Sequence, residues 1–164
     1  MIHADVLGER ARLSPEKCAL VFVPTGERFT YRALNARAER VAAFLRDGLG
    51  LQKGDRVALL AHNRVEYVDF VFAAAKSGLV LVPLGTRLTP HELAFIARNA
   101  DVSALAYGGE FAETVAALRT EAAVPRRIAL DGPAAEGDLS LEASLAALPD
   151  VPFERTRCDG EDLH

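Results

Sequence analysis

The stretch "VPLGTRLTPHEL", residues 82–93, carries the most chemical content in the sequence. An apolar run ends at Pro83, and Gly85-Thr86-Arg87 forms a short loop. Thr89, Pro90 and Glu92 then supply a helix N-cap, a proline at the first helical position and a glutamate at the third. A guanidinium such as that of Arg87 can hold two oxygens of a phosphate or carboxylate at once. Gly85 lets a backbone come close, and a helix start adds partial positive charge. Those features suit an anion site. They also suit a plain capped turn, because Glu92 puts negative charge where the anion would sit and Arg87 can pair with a neighbouring carboxylate. Both readings stand at this level.

Other chemistries fit less well. The dinucleotide fingerprint needs GxGxxG between a strand and a helix. "GLGLQKG" (48–54) has the wrong spacing and follows a helix-like stretch. GxxxxGK[ST] is absent, and so is the GxSxG nucleophile elbow. A receiver-like acidic cluster is also missing, since the strand-like run at 56–61 leads into Ala61-His62-Asn63. His3, His62, His91 and His164 show no HxxxH spacing. His91, two residues past the N-cap, reads as solvent-exposed. His62 follows a strand, where ligands of parallel sheets gather, yet a lone histidine there is more often structural. Glu66 is taken up in a capping pair with Asn63. Cys18 and Cys158 form no CxxC or Cys/His cluster, so no metal site is expected. Cys18, among apolar neighbours, reads as a small core residue.

The elements that would position Arg87 follow from apolar periodicity. "ALVFV" (19–23) and "RFTY" (28–31) read as two strands joined by a turn at Pro24-Thr25-Gly26. Leu34, Ala38, Val41 and Leu45 recur at helical spacing, with Thr30 as N-cap and Gly48 and Gly50 as the stop. Strands are then predicted at 56–61, 79–84, 102–107 and 127–130. Helices are predicted at about 64–77, from Thr89 onward, and at about 110–121. Residues 131–164 read mostly as loop, with one short helix in "LEASLAAL". Strands alternating with helices predict an α/β fold, a parallel sheet with helices on both faces and a mixed edge where the hairpin joins.

The bulk numbers agree with one domain. The chain has 164 residues, 50% of them hydrophobic, and a net charge of -4. That is long enough for a core and lacks the basic face of a nucleic-acid binder. The pair Arg126-Arg127 reads as solvated surface. No signal-peptide layout or membrane-length apolar run occurs, so a cytoplasmic location is expected.

The order of these pieces is similar to a known family. "FTYRALN", "GDRVALLAHN" and "AAAKSGLVLVPLGTRLT", with the helix and strand that follow, resemble the amino-terminal region of AMP-forming acyl ligases, the adenylate-forming superfamily. The resemblance runs from Ser14 to the end. It implies that residues 1–164 form one domain, the amino-terminal subdomain of a longer enzyme, with 131–164 leading toward a phosphate loop. The implied reaction joins a carboxylic acid and ATP into an acyl-adenylate, then passes the acyl group to a thiol, usually CoA. ATP, Mg²⁺ and CoA would serve the complete enzyme, and the 164 residues alone would hold none of them tightly and be inactive. The implied partners are the remainder of that enzyme and a small fatty or aromatic acid, with dimerisation through an exposed subdomain face. No catalytic or metal-binding residue is implied within the chain. One site residue carries over: Arg87, beside the phosphates of the CoA nucleotide. Gly85 stands where family members often have Asn, which puts any contact by that amide in doubt. A peptide-synthetase-type adenylation piece and a non-catalytic α/β binding module are the alternatives.

Overall fold

A computed structural model describes residues 5–158; His3, His164 and the rest of the stretch from residue 159 lie outside them. The apolar runs become strands. β3 (Arg56–Leu60), β4 (Val80–Pro83), β5 (Val102–Tyr107), β6 (Arg126–Ala129) and the short β7 (Leu139–Ser140) form one sheet in the order β4-β3-β5-β6-β7. Every neighbouring pair in it is parallel. Successive side chains of β3 face opposite sides, as the pleat requires. Val57 and Leu59 join one core layer, and Ala58 and Leu60 the other.

Helices cover both layers. α2 (Tyr31–Ala43) and α3 (Val65–Ser77) pack on the first through Val41, Phe70 and Ala73. α4 (Pro90–Asn99) and α5 (Ala112–Leu118) pack on the second through Leu93, Ala97, Val115 and Leu118. A sheet buried on both faces explains why the strands read as near-continuous apolar runs. The last described helix, α6 (Leu141–Ala146), is capped by Ser140.

The hairpin departs from the expected mixed edge. β1 (Cys18–Phe22) and β2 (Glu27–Thr30) pair antiparallel as a sheet of their own, and the five-stranded sheet is wholly parallel. The reason lies in packing: Phe29 buries with Leu34 and Ala38 of α2, away from the main strands. Cys18 is exposed rather than in the core. α2 starts at the Thr30 cap as its sequence requires, the hydroxyl accepting from Ala33 N at 3.1 Å. It then runs into a wider π-type turn over Phe44–Gly48 before stopping. Asn63 does not cap α3. Arg64 occupies the cap position without a capping side chain, and Glu66 turns to Arg64 instead.

One helix has no counterpart in the sequence pattern. α1 (Val6–Leu13) is capped by Asp5, whose Oδ1 accepts from Gly8 N at 2.9 Å. Asp5 also accepts from the fully buried ammonium of Lys76 at 2.8 Å, and Asn35 Oδ1 accepts from the same ammonium at 2.6 Å. Arg155 approaches Asp5 at 3.3 Å, and Thr156 N donates to Lys76 O at 2.9 Å. A buried ammonium is tolerated only when so surrounded. The network pins both extremities of the described chain to α3.

Candidate functional site at the carboxyl edge of the sheet

Parallel registration brings four loops to one edge. Leu84 N donates to Leu59 O at 2.9 Å, Gly108 N to Leu60 O at 3.0 Å, and Leu130 N to Tyr107 O at 2.9 Å. The segments after β4 (Gly85–Arg87), β3 (His62–Arg64), β5 (Gly108–Gly109) and β6 (Asp131–Gly132) therefore sit side by side. The strand order reverses direction around β3, because β3 is followed by β4 on one side and by β5 on the other. Open parallel sheets receive ligands at the carboxyl ends of strands where the order reverses. The switch point here is the crevice between the ends of β3 and β5. His62 on one side of it lies against Phe111 on the other, with ring centroids 5.2 Å apart and planes tilted by 52°.

Three of the four loops are tied together by charge. Asp131 Oδ1 accepts from Gly109 N at 2.7 Å, and its Oδ2 is 3.1 Å from Arg64 Nη1. Arg64 Nε donates to Glu66 at 2.8 Å. Arg37 lies 3.8 Å from Glu66 and grips the carboxylate of Asp69 through Nη2 at 2.6 Å and Nε at 3.0 Å. Partial burial pushes the Asp131 carboxyl up, but the Gly109 N–H and Arg64 together hold it below the usual carboxylate range. Burial pushes Asp69 above that range, against the pull of Arg37. This chain of charges lines a cleft of about 510 Å³ bordered also by Arg40. Arg40 donates to the carbonyl of Leu145.

A second cluster braces the far side of β5. The Asp138 side chain, only 1% exposed, accepts from Tyr107 Oη at 2.7 Å, Arg119 Nη2 at 2.5 Å and Arg127 Nε at 2.7 Å. Arg127 is thus part of a half-buried cluster and not a solvated surface residue, because Asp138 folds back over it. Burial, then the hydrogen bond to Asp138, pushes the Tyr107 hydroxyl up to about 12.

The loop after β4 differs. Arg87 is exposed, and among the described residues it makes no hydrogen bond or ion pair. The neighbouring helix start is closed: Thr89 N donates to Glu92 at 2.8 Å, and Glu92 N to Thr89 Oγ1 at 3.3 Å. The Thr89 N–H and the Thr89 hydroxyl, each donating to its carboxylate at 2.8 Å, hold Glu92 below its usual range. The capped-turn reading therefore holds for Thr89, Pro90 and Glu92, while the neighbour expected to neutralise Arg87 is absent among the described residues. A side chain at Gly85 would meet Leu88 Cγ at 3.2 Å, so the missing Cβ makes room for the loop's own leucine. His91 is exposed as expected, and pairs with Glu121 at 2.6 Å.

Sequence reasoning missed Arg64, Asp131 and Asp138. An aspartate directly after a strand end, as in Leu130-Asp131-Gly132, was the available signal for the first brace. Asp138 sat in a loop pattern with no signal at all. A larger groove, about 750 Å³, is built from α2 and residues 148–153 and includes no residue of the four edge loops. Among the described residues no three His, Cys, Asp or Glu side chains converge as a metal site, and no helix is long and apolar enough to cross a membrane.

Comparison with known proteins adds the context. A family model described as AMP-binding enzyme matches residues 7–163. The long-chain-fatty-acid–CoA ligase FadD13 of Mycobacterium tuberculosis is 42% identical over 120 residues, which are 73% of this chain and 24% of that relative. The chain thus spans about a quarter of that relative's length. A crystal structure of the N-terminal domain of FACL13 from Mycobacterium tuberculosis superposes with a TM-score of 0.86 at 35% identity, covering 99% of this chain and 40% of that one. The anthranilate CoA ligase AuaEII, in complex with anthranoyl-AMP, gives a TM-score of 0.87 at 26% identity over 98% of this chain and 30% of that one.

Proposed function

The chain belongs to the AMP-binding enzyme family, and from that premise we propose that it forms the amino-terminal part of an ATP-dependent acyl-CoA synthetase. The complete enzyme would activate a fatty or aromatic carboxylic acid as its adenylate and transfer the acyl group to CoA. The observation that carries this reading is the sequence match to a CoA ligase over 73% of the chain, together with the family match over residues 7–163 and the fold match to a CoA ligase over 98% of it. A cytoplasmic location fits an enzyme that consumes ATP and CoA.

Within the chain, Arg87 is assigned to the CoA nucleotide. Its guanidinium is exposed and, among the described residues, unpaired, and it stands at the carboxyl edge of the sheet one strand from the switch point, so it fits an anionic phosphate. Gly85 supports that position only by giving Leu88 room to close the turn. CoA supplies the thiol that accepts the acyl group. Among the described residues no three acidic or histidine side chains converge on one point, and none of them is assigned to Mg²⁺. Mg²⁺ and the ATP phosphates are assigned to other parts of the complete enzyme.

The test is acid-dependent release of pyrophosphate from ATP, followed by thioester formation with CoA, across long-chain and aromatic acids. Turnover of one acid class with CoA supports the reading. Adenylation confined to amino acids, with no CoA thioester, overturns it. The 164 residues alone are expected to release no pyrophosphate.

A further inference from the structure

The switch-point crevice has two lips, and one carboxylate holds both. The β3 lip is His62–Arg64, and the β5 lip is Gly108–Phe111. Asp131, from the next loop along, takes Arg64 of the first lip at 3.1 Å and the Gly109 N–H of the second at 2.7 Å. The fit on the second lip is close. A Cβ on Gly109 would lie 3.2 Å from both the carbonyl oxygen and Oδ1 of Asp131, so a side chain there would push the two backbones apart by a few tenths of an ångström. Arg64 is itself held from behind by Glu66 at 2.8 Å, and its side chain is 19% exposed. The pieces of this clamp come from three separate loops, which rules out a mere local turn.

We propose that Asp131 is a positioning residue: by bridging Arg64 and Gly109 it sets the spacing of the β3 and β5 loops at the sheet edge where the CoA nucleotide docks, the β3 loop adjoining that of Arg87. The proposal rests on the reading that this edge receives the nucleotide of CoA. The clamp touches no reacting atom. It acts through the two lips, one of which, the β3 loop, adjoins the Arg87 loop in the sheet order. Loosening the lips costs binding of the part of the ligand they face, because loops that are no longer held in place must be ordered when it binds.

The experiment uses the complete enzyme with three variants. Asp131→Ala removes both bonds, Asp131→Asn keeps an acceptor for Gly109 N–H but not the charge for Arg64, and Arg64→Gln frees one lip while leaving the Gly109 bond. Asp131→Ala is expected to raise KM for CoA roughly tenfold with kcat within about twofold. Asp131→Asn recovers part of that loss, and Arg64→Gln shows a smaller rise. Amide exchange of the segment around Gly109 speeds in the same order. Unchanged KM for CoA, or equal changes in KM for ATP, acid and CoA, overturns the proposal. If Asp131→Ala fails to fold, Arg64→Gln alone decides it by the same criterion. Arg87→Ala, measured beside them, separates the two assignments. If it leaves KM for CoA unchanged while the clamp variants raise it, the role of Arg87 fails and the clamp stands. The reverse pattern removes the clamp and keeps Arg87.

Discussion

Arg64 and Arg87 stand on neighbouring loops of one sheet edge, and the structure treats them in opposite ways. Arg64 is mostly buried and lies between two carboxylates, Glu66 and Asp131. Arg87 is exposed, and among the described residues no acid answers it. The same residue type in the same topological position thus serves two purposes. Where charge is matched, the arginine stitches loops together. Where it is left unmatched at the carboxyl edge of the sheet, the arginine is available to a ligand. Substitutions on the matched side are therefore expected to cost stability and to reach binding only by loosening the loops, and those on the unmatched side to cost binding without stability.

The largest loss of stability is expected at the most enclosed acid. Asp138→Ala strands Arg119, Arg127 and the Tyr107 hydroxyl, and removing one member of a buried charged cluster costs about 3 kcal/mol. Urea denaturation measures it. A loss under about 1 kcal/mol would place this cluster with ordinary surface pairs. Next comes Gly109→Ala, which drives a methyl against Asp131 and is expected to cost about 1–2 kcal/mol. The midpoint of the same titration shows it.

Tyr107→Phe sharpens the comparison through pH. The folded hydroxyl titrates near 12, above the ordinary value for tyrosine. Its contribution is fully present below about pH 10 and is lost as pH rises through the folded value. Wild-type stability should fall across that alkaline window by more than the variant's does. Parallel curves would mean that the Asp138 bond does not favour the protonated tyrosine. On the acid side the sign reverses for Asp131. Its folded carboxyl is held below its unfolded value, so its contribution is present above about pH 4 and disappears as pH falls through the lower folded value. Asp131→Asn should flatten that acid slope slightly.

The helix–strand alternation, the Thr30 cap and the Thr89–Glu92 capping box were all legible because each is local: a period, or a pair of residues three apart. The strand at 102–107 appears with the bounds its apolar run suggested. What escaped were partnerships across long separations. Asp5 meets Lys76, and Arg64 meets Asp131, only after the sheet has formed. α1 escaped for the same reason: its cap doubles as the counter-ion of a residue in α3, and its own sequence shows little apolar stripe. Asn63 was misread because Glu66 found a better partner in Arg64. For the site, the arginine's type and place were visible in "GTRLTP". Its lack of a partner was not, because that depends on every loop around it.

Arg87→Ala in the complete enzyme is the most direct measurement of the difference between matched and unmatched charge. Thermal stability should stay within about 0.5 kcal/mol of wild type, as for a surface residue without contacts. The apparent KM for CoA should rise roughly tenfold, the loss of one charge-assisted contact, while acid-dependent pyrophosphate exchange with ATP is retained. Equal loss in both half-reactions, or a fall in stability with KM for CoA unchanged, would contradict it.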